Sequence, residues 1–211
     1  MPPNLATLGP LMLVTDDALM EGRDLVALCR AAVEGGVTSI QLRLKRVTAR
    51  ELGEAARALR GAVTVPLLLN DRLDVALAVG ADGVHLGPDD LPVRLARRIA
   101  PEGFVIGASV GSEDEAADGA EADYWGVGPW AATRTKSDAG QPLGPEGFGA
   151  ITALAGRRPC YAIGSVRPED APAIRRAGGA GCAVVSGILG SADVRAAARS
   201  YRDAWRSADY A

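Results

Sequence analysis

One unit recurs along this chain: a helical run, a glycine-rich stop, and a short apolar stretch ending in polar residues. It occurs at Gly35-Gly36-Val37 leading into SIQLR and at Gly80-Ala81-Asp82 leading into GVHLG. It returns at Glu121-Ala122-Asp123 before YWGVG and at Gly178-Gly179-Ala180 before GCAVVSG. Glycine just past a helix end supplies the left-handed turn that a short helix-to-strand link needs. Four more apolar runs, at 11–15, 66–70, 104–109 and 160–164, lack polar alternation, as strands buried on both faces do. Between the runs lie segments of helical spacing, among them 25–33, 48–59 and 194–205. Ser112 followed by Glu115 predicts a capping box, and Pro168 suits the first turn of a helix. Eight strands alternating with helices within 211 residues predict an α/β chain closed into a single (β/α)8 barrel, the TIM-barrel architecture.

Composition narrows the partners. Aromatics make up only 4% of a chain that is 48% hydrophobic, so the core must be built from Ala, Val, Leu and Ile. A net charge of −3 argues against a nucleic-acid surface, which needs a basic face. The apolar stretch at 11–14 is too short for a membrane span. Cys29, Cys160 and Cys182 form no CxxC spacing and read as reduced core thiols of a cytoplasmic protein. No GxGxxG follows the first strand, which disfavours a dinucleotide site. One domain spans 1–211, with an N-terminal extension over about 1–10. The irregular stretch 129–145 is long enough to predict an active-site loop. The sequence leaves self-association open, a homo-oligomer included.

Of 23 basic residues only Lys45 and Lys136 are lysine, and Gln41, Asn70 and His85 belong to equally scarce types. Lys45, Gln41, Asn70 and His85 fall at or just past predicted strand ends, while Lys136 falls in the long loop. In a barrel those strand ends share one rim, which therefore gathers Gln41, Arg43, Lys45, Asn70, Asp71, His85, Asp90 and Ser109. Thr133, Arg134, Thr135, Lys136, Ser165, Val185 and Ser186 complete it. Alternation with Leu42 and Leu44 places Gln41, Arg43 and Lys45 on one side of their strand. Cations that grip phosphate, together with Asp71 and Asp90 as hard oxygen ligands for Mg2+, describe a site for small phosphorylated substrates. His85 is expected to be a hydrogen-bonded structural residue and Trp125 and Trp130 to be packing residues. Arg94, Arg97 and Arg98 are expected to form a solvated face.

The motifs QLRLK (41–45), NDRLDVAL (70–77), GADGVHLGPDDLP (80–92), GASV (107–110), ADYWGVGPWAATRTK (122–136), AIGSV (162–166) and AVVSGIL (183–189) together resemble the thiamine phosphate synthase family. The resemblance implies a transferase that condenses 4-amino-2-methyl-5-(diphosphooxymethyl)pyrimidine with a thiazole phosphate and releases pyrophosphate. It implies Gln41, Arg43, Lys45, Asn70, Ser109 and Lys136 at the pyrimidine diphosphate, with Arg43, Lys45, Ser109 and Lys136 serving catalysis. Thr133, Arg134, Thr135, Ser165, Val185 and Ser186 would meet the thiazole phosphate, and Asp71 and Asp90 would hold Mg2+. The chain departs from the family pattern at Leu44 (usually Glu), Pro88 (Gln), Gly111 (often His), Ala132 (Pro) and Ser165 (Gly). Two other readings are a thiazole tautomerase, which relies on a histidine at the position of Gly111, and a non-catalytic binder of phosphorylated ligands.

Overall fold

The computed structural model describes residues 8–133 and 140–208. Its strands are β1 (Leu11–Val14), β2 (Ser39–Leu42), β3 (Leu67–Asn70), β4 (Gly83–Leu86), β5 (Val105–Val110), β6 (Tyr124–Val127), β7 (Cys160–Ile163) and β8 (Gly181–Val184). The helices are α1 (Asp17–Met20), α2 (Leu25–Gly35), α3 (Ala49–Ala62), α4 (Leu73–Val79) and α5 (Val93–Ile99). Beyond them come α6 (Glu113–Asp118), α7 (Gly144–Leu154), α8 (Ala171–Arg176), α9 (Ser186–Leu189) and α10 (Val194–Ser207). Every strand pairs in parallel with its neighbours in sequence, and β8 returns to β1, closing the barrel. All eight predicted strands exist, mostly one residue shorter than read, while the 104–109 run shifts to Val105–Val110.

Two cores follow from the alternation of each strand. Outward residues such as Leu13, Ile40, Leu69, Val84 and Ile106 pack under the helices. Inward residues Met12, Leu68, Val105, Tyr124 and Tyr161 form a second cluster with Leu8. Residues 8–10 belong to this interior floor. Leu8 is fully buried, the Gly9 carbonyl accepts from the Tyr161 hydroxyl at 2.8 Å, and the Pro10 carbonyl accepts from Cys182 N–H at 2.9 Å. The apolar floor leaves only the opposite mouth open to a polar ligand.

The repeated unit contains a device that its glycines do not reveal. Asp82, just before β4, accepts from the N–H of Leu67 at the start of β3, at 2.8 Å. Asp123, just before β6, does the same for Ile106 of β5 at 2.7 Å and also pairs with Arg97 at 2.6 Å. Each carboxylate thereby ties a strand to its neighbour where regular pairing begins. Arg97 additionally donates to the Phe104 carbonyl, so it fastens α5 to the sheet instead of joining Arg94 and Arg98 on the solvated face. Replacing Asp123 by alanine leaves the Ile106 amide without its acceptor and removes the charged partner of Arg97. We expect a loss of about 2–3 kcal/mol in chemical denaturation, the range for a buried donor left unpaired beside a charge, and about half that for Arg97→Ala. Equal stability of wild type and Asp123→Ala would rule out the tie.

Other local expectations are met or modified. The Ser112 hydroxyl accepts from Glu115 N–H at 3.2 Å, but the Glu115 carboxylate turns to the Gly111 N–H, so the predicted box is only half formed. A complete box stands instead at Thr48 and Glu51, ahead of α3. Pro168 opens a short 3-10 turn, Pro168–Asp170, that leads into α8. The three cysteines are buried free thiols, and burial pushes them up to about 11 for Cys160 and about 12 for Cys29 and Cys182, which keeps them protonated. Trp125 and Trp130 are buried as packing residues.

Candidate active site

The C-terminal ends of the strands surround one cavity of about 580 Å³. Gln41, Arg43, Lys45, Asn70, Asp71, Asp90, Ser109, Thr133, Ser165, Val185 and Ser186 all line it. Arg134, Thr135 and Lys136 lie outside the described residues. Residues that the sequence scatters from β2 to α9 thus converge on one mouth.

The basic side comes from β2. Gln41 is buried inside the barrel, while Arg43 and Lys45 continue its alternation beyond the strand end. Arg43 pairs with Asp16 at 3.0 Å, and Lys45 pairs with Asp71 at 2.5 Å. The Asp17 carboxylate accepts from the Lys45 backbone N–H at 2.7 Å and fixes the segment that carries both cations. Asp16 and Asp17 are absent from the rim expected from the sequence, although they directly follow the first predicted strand at 11–15.

The acidic side comes from the ends of β3 and β4. Asp71 adopts a left-handed backbone at φ 62°, a conformation costly for most residues but tolerated by Asp and Asn. Its N–H donates to the His85 carbonyl at 2.8 Å, which locks this turn to the adjacent strand. Asp90 accepts from Gly87 N–H at 2.7 Å. Burial, and then a hydrogen bond shared with Asp71, push the Asp90 carboxyl up to about 6. Two carboxyls that close repel one another when both are ionised, a repulsion that a cation between them would relieve. Lys45 already supplies one on the Asp71 side.

Charge along the wall tests the fit of a metal. Among the described residues, the charged side chains lining the cavity are Asp71, Asp89, Asp90 and Glu115 against Arg43 and Lys45. A divalent cation on the carboxylate side would offset that charge toward a diphosphate. Magnesium suits such a place, because it takes one or two carboxylates and completes its shell with phosphate oxygens. No group of three or more His, Cys, Asp or Glu side chains placed to hold a metal ion by themselves occurs among the described residues.

A profile of the thiamine monophosphate synthase family matches residues 11–188. The chain belongs to that family. It is 45% identical over 198 residues to a thiamine-phosphate synthase of Moorella thermoacetica, covering 92% of this chain and 94% of that one. It is 44% identical over 200 residues to another from Syntrophomonas wolfei, covering 92% and 95%. The solved thiamine phosphate pyrophosphorylase of Pyrococcus furiosus superimposes with a TM-score of 0.87 at 38% identity, over 97% of this chain and 99% of that one. A 3-hexulose-6-phosphate synthase shares the fold at 22% identity, with a TM-score of 0.68.

As a thiamine monophosphate synthase family member, the chain accommodates its departures in identifiable ways. Leu44 packs against the outer core. Gly111 has no space for a side chain, since a Cβ there would lie 2.8 Å from the Gly128 carbonyl oxygen. Ser165 takes a left-handed backbone at φ 51°, where glycine is free of steric cost. Its hydroxyl donates to the Ala132 carbonyl at 2.8 Å, so the extra side chain is committed to the protein.

Proposed function

We propose that this protein is a magnesium-dependent transferase that joins 4-amino-2-methyl-5-(diphosphooxymethyl)pyrimidine to a thiazole phosphate, giving thiamine phosphate and pyrophosphate. The observation that carries this reading is the meeting of Arg43, Lys45, Asn70, Ser109 and the Asp71–Asp90 pair on one rim of a barrel from this family. No helix among the described residues is long and apolar enough to cross a membrane. Together with three buried free thiols, this favours a reducing, cytoplasmic setting.

The chemistry asks for charge stabilisation and alignment, with no protein nucleophile. Cleavage of the bond to the diphosphate leaves a pyrimidinylmethyl cation, and the thiazole nitrogen captures it. Asp71 and Asp90 would hold Mg2+, which when bound supplies Lewis-acid stabilisation to the leaving diphosphate. Arg43 and Lys45 exchange their carboxylate partners for phosphate oxygens and stabilise the same growing charge. Asn70 and Ser109 orient the pyrimidine diphosphate, while Lys136 adds a further cation. Thr133, Arg134 and Thr135, with the backbone at Ser165, Val185 and Ser186, receive the thiazole phosphate and set the two rings in line. Water would compete for the cation, so the depth of the cavity over an apolar floor serves the reaction.

Incubation with both substrates and Mg2+ tests the proposal. Thiamine phosphate is expected to form, to stop on chelation with EDTA, and to resume when Mg2+ is added in excess. Binding of the pyrimidine diphosphate without turnover would favour the non-catalytic reading instead. The tautomerase reading is disfavoured by Gly111, because the histidine it needs would press on the Gly128 backbone.

A further inference from the structure

A chain of ring contacts and hydrogen bonds runs from the barrel floor to the wall of the cavity. Tyr161 donates to the Gly9 carbonyl and meets Tyr124 edge-on, with ring centroids 5.5 Å apart. The Tyr124 hydroxyl lies 2.9 Å from His85 Nδ1, and His85 Nε2 lies 3.0 Å from the Ser109 hydroxyl. Two glycines make room for it. A Cβ on Gly107 would fall 2.2 Å from the Tyr124 ring, and one on Gly126 would fall 3.1 Å from His85 Cε1. The rings are thus wedged in place.

The direction of the chain follows from its buried end. Complete burial pushes the Tyr124 hydroxyl far up, so it keeps its proton, while the Gln41 amide donates to its oxygen. Donation of the hydroxyl proton to His85 Nδ1, 2.9 Å away, selects one tautomer of the ring. In that tautomer the ring carries its own hydrogen on Nε2 and donates it to Ser109. Having accepted from the ring, Ser109 has one proton left, and its side chain lines the cavity.

We infer that His85 is a positioning residue: it holds Ser109 as a hydrogen-bond donor aimed into the cavity, at the diphosphate-bearing substrate. The substrate in this statement rests on the function proposed above. The sequence predicts a structural, hydrogen-bonded His85, and the geometry gives that role a consequence for a neighbouring site residue.

Coupling between the two residues is the test. Removing one oriented donor commonly lowers kcat by about 10²–10³-fold, and leaving the donor present but unoriented should cost less, about tenfold for His85→Asn. His85→Gln, whose amide reaches toward Ser109, should recover most of that loss. In a Ser109→Ala background, His85→Asn should lower kcat by less than about twofold further, because residues acting as a unit are not additive. KM for the thiazole phosphate should hold in all of them, and thermal melting checks folding. His85 is the only histidine in the sequence, so its imidazole nitrogens can be read directly by 15N NMR. The wild type should show the Nε2–H tautomer, and Tyr124→Phe should depopulate it. Turnover with fully additive losses, or an Nδ1–H tautomer in the wild type, overturns the inference alone. Absence of thiamine phosphate formation alongside the expected tautomer overturns the functional reading and the catalytic use of the chain with it.

Discussion

Replacing Asp90 or Asp71 by asparagine is expected to lower kcat by about 10²–10³-fold at saturating substrate while the protein stays folded, the size seen when one oriented charge-stabilising group is lost. Asparagine is the informative replacement. It keeps the shape of the carboxylate, and at position 71 it tolerates the left-handed backbone that alanine would strain. The two variants should also need more Mg2+ for half-maximal rate, since each removes half of the proposed carboxylate pair. Thermal stability should hold or rise slightly in Asp90→Asn, because that change relieves repulsion from Asp71. Loss of turnover without loss of stability distinguishes a functional pair from a structural one: function holds two like charges closer than folding alone would choose. Unchanged kcat and Mg2+ dependence in both variants would remove the metal assignment.

The same pair shows how far a linear sequence can be read. Asp71 and Asp90 are nineteen positions apart, in two separate motifs, NDRLDVAL and GADGVHLGPDDLP. They became a pair because a closed barrel puts consecutive strand ends side by side, and the eight-fold repeat made the barrel legible. Arg43, Asn70 and Ser109 reached the same mouth by that rule. Local periodicity could not show the partners that side chains choose. Arg97 has the spacing of a solvated helical face, yet it reaches across to Asp123 and the Phe104 carbonyl, because a long guanidinium can span to the neighbouring element. Glu115 stands at capping-box distance from Ser112 but satisfies the Gly111 amide instead. Asp82 and Asp123 were visible as parts of the repeat, but their strand-pinning role needed the inter-strand register. Gly111 and Ser165 were visible as departures, and only the contacts around them show that one cannot accept a side chain and the other directs its side chain to Ala132.

Gly83→Val is expected to cost about 3 kcal/mol or more and to give largely insoluble protein, at the upper end of overpacking losses. In the sequence this glycine opens the GVHLG run without a stated task, and the structure gives it one. It is the first residue of β4, and a Cβ there would sit 2.4 Å from the Val105 carbonyl oxygen and 2.8 Å from the Val105 Cβ. The obstacle is the adjacent strand, paired with β4 at this same register, so no side-chain rotation relieves it. Moving the strands apart would strain the closed barrel and shift His85, two residues on, away from Ser109. Gly61 supplies the contrast. It lies on the exposed face of α3 with no atom within 4 Å of an added Cβ, so Gly61→Ala should raise stability by about 0.5–1 kcal/mol through helix propensity alone. Chemical denaturation of the two variants therefore separates a glycine kept for close approach from one that the fold does not require. If both substitutions shifted stability alike, close packing at the start of β4 could not be what excludes a side chain from position 83.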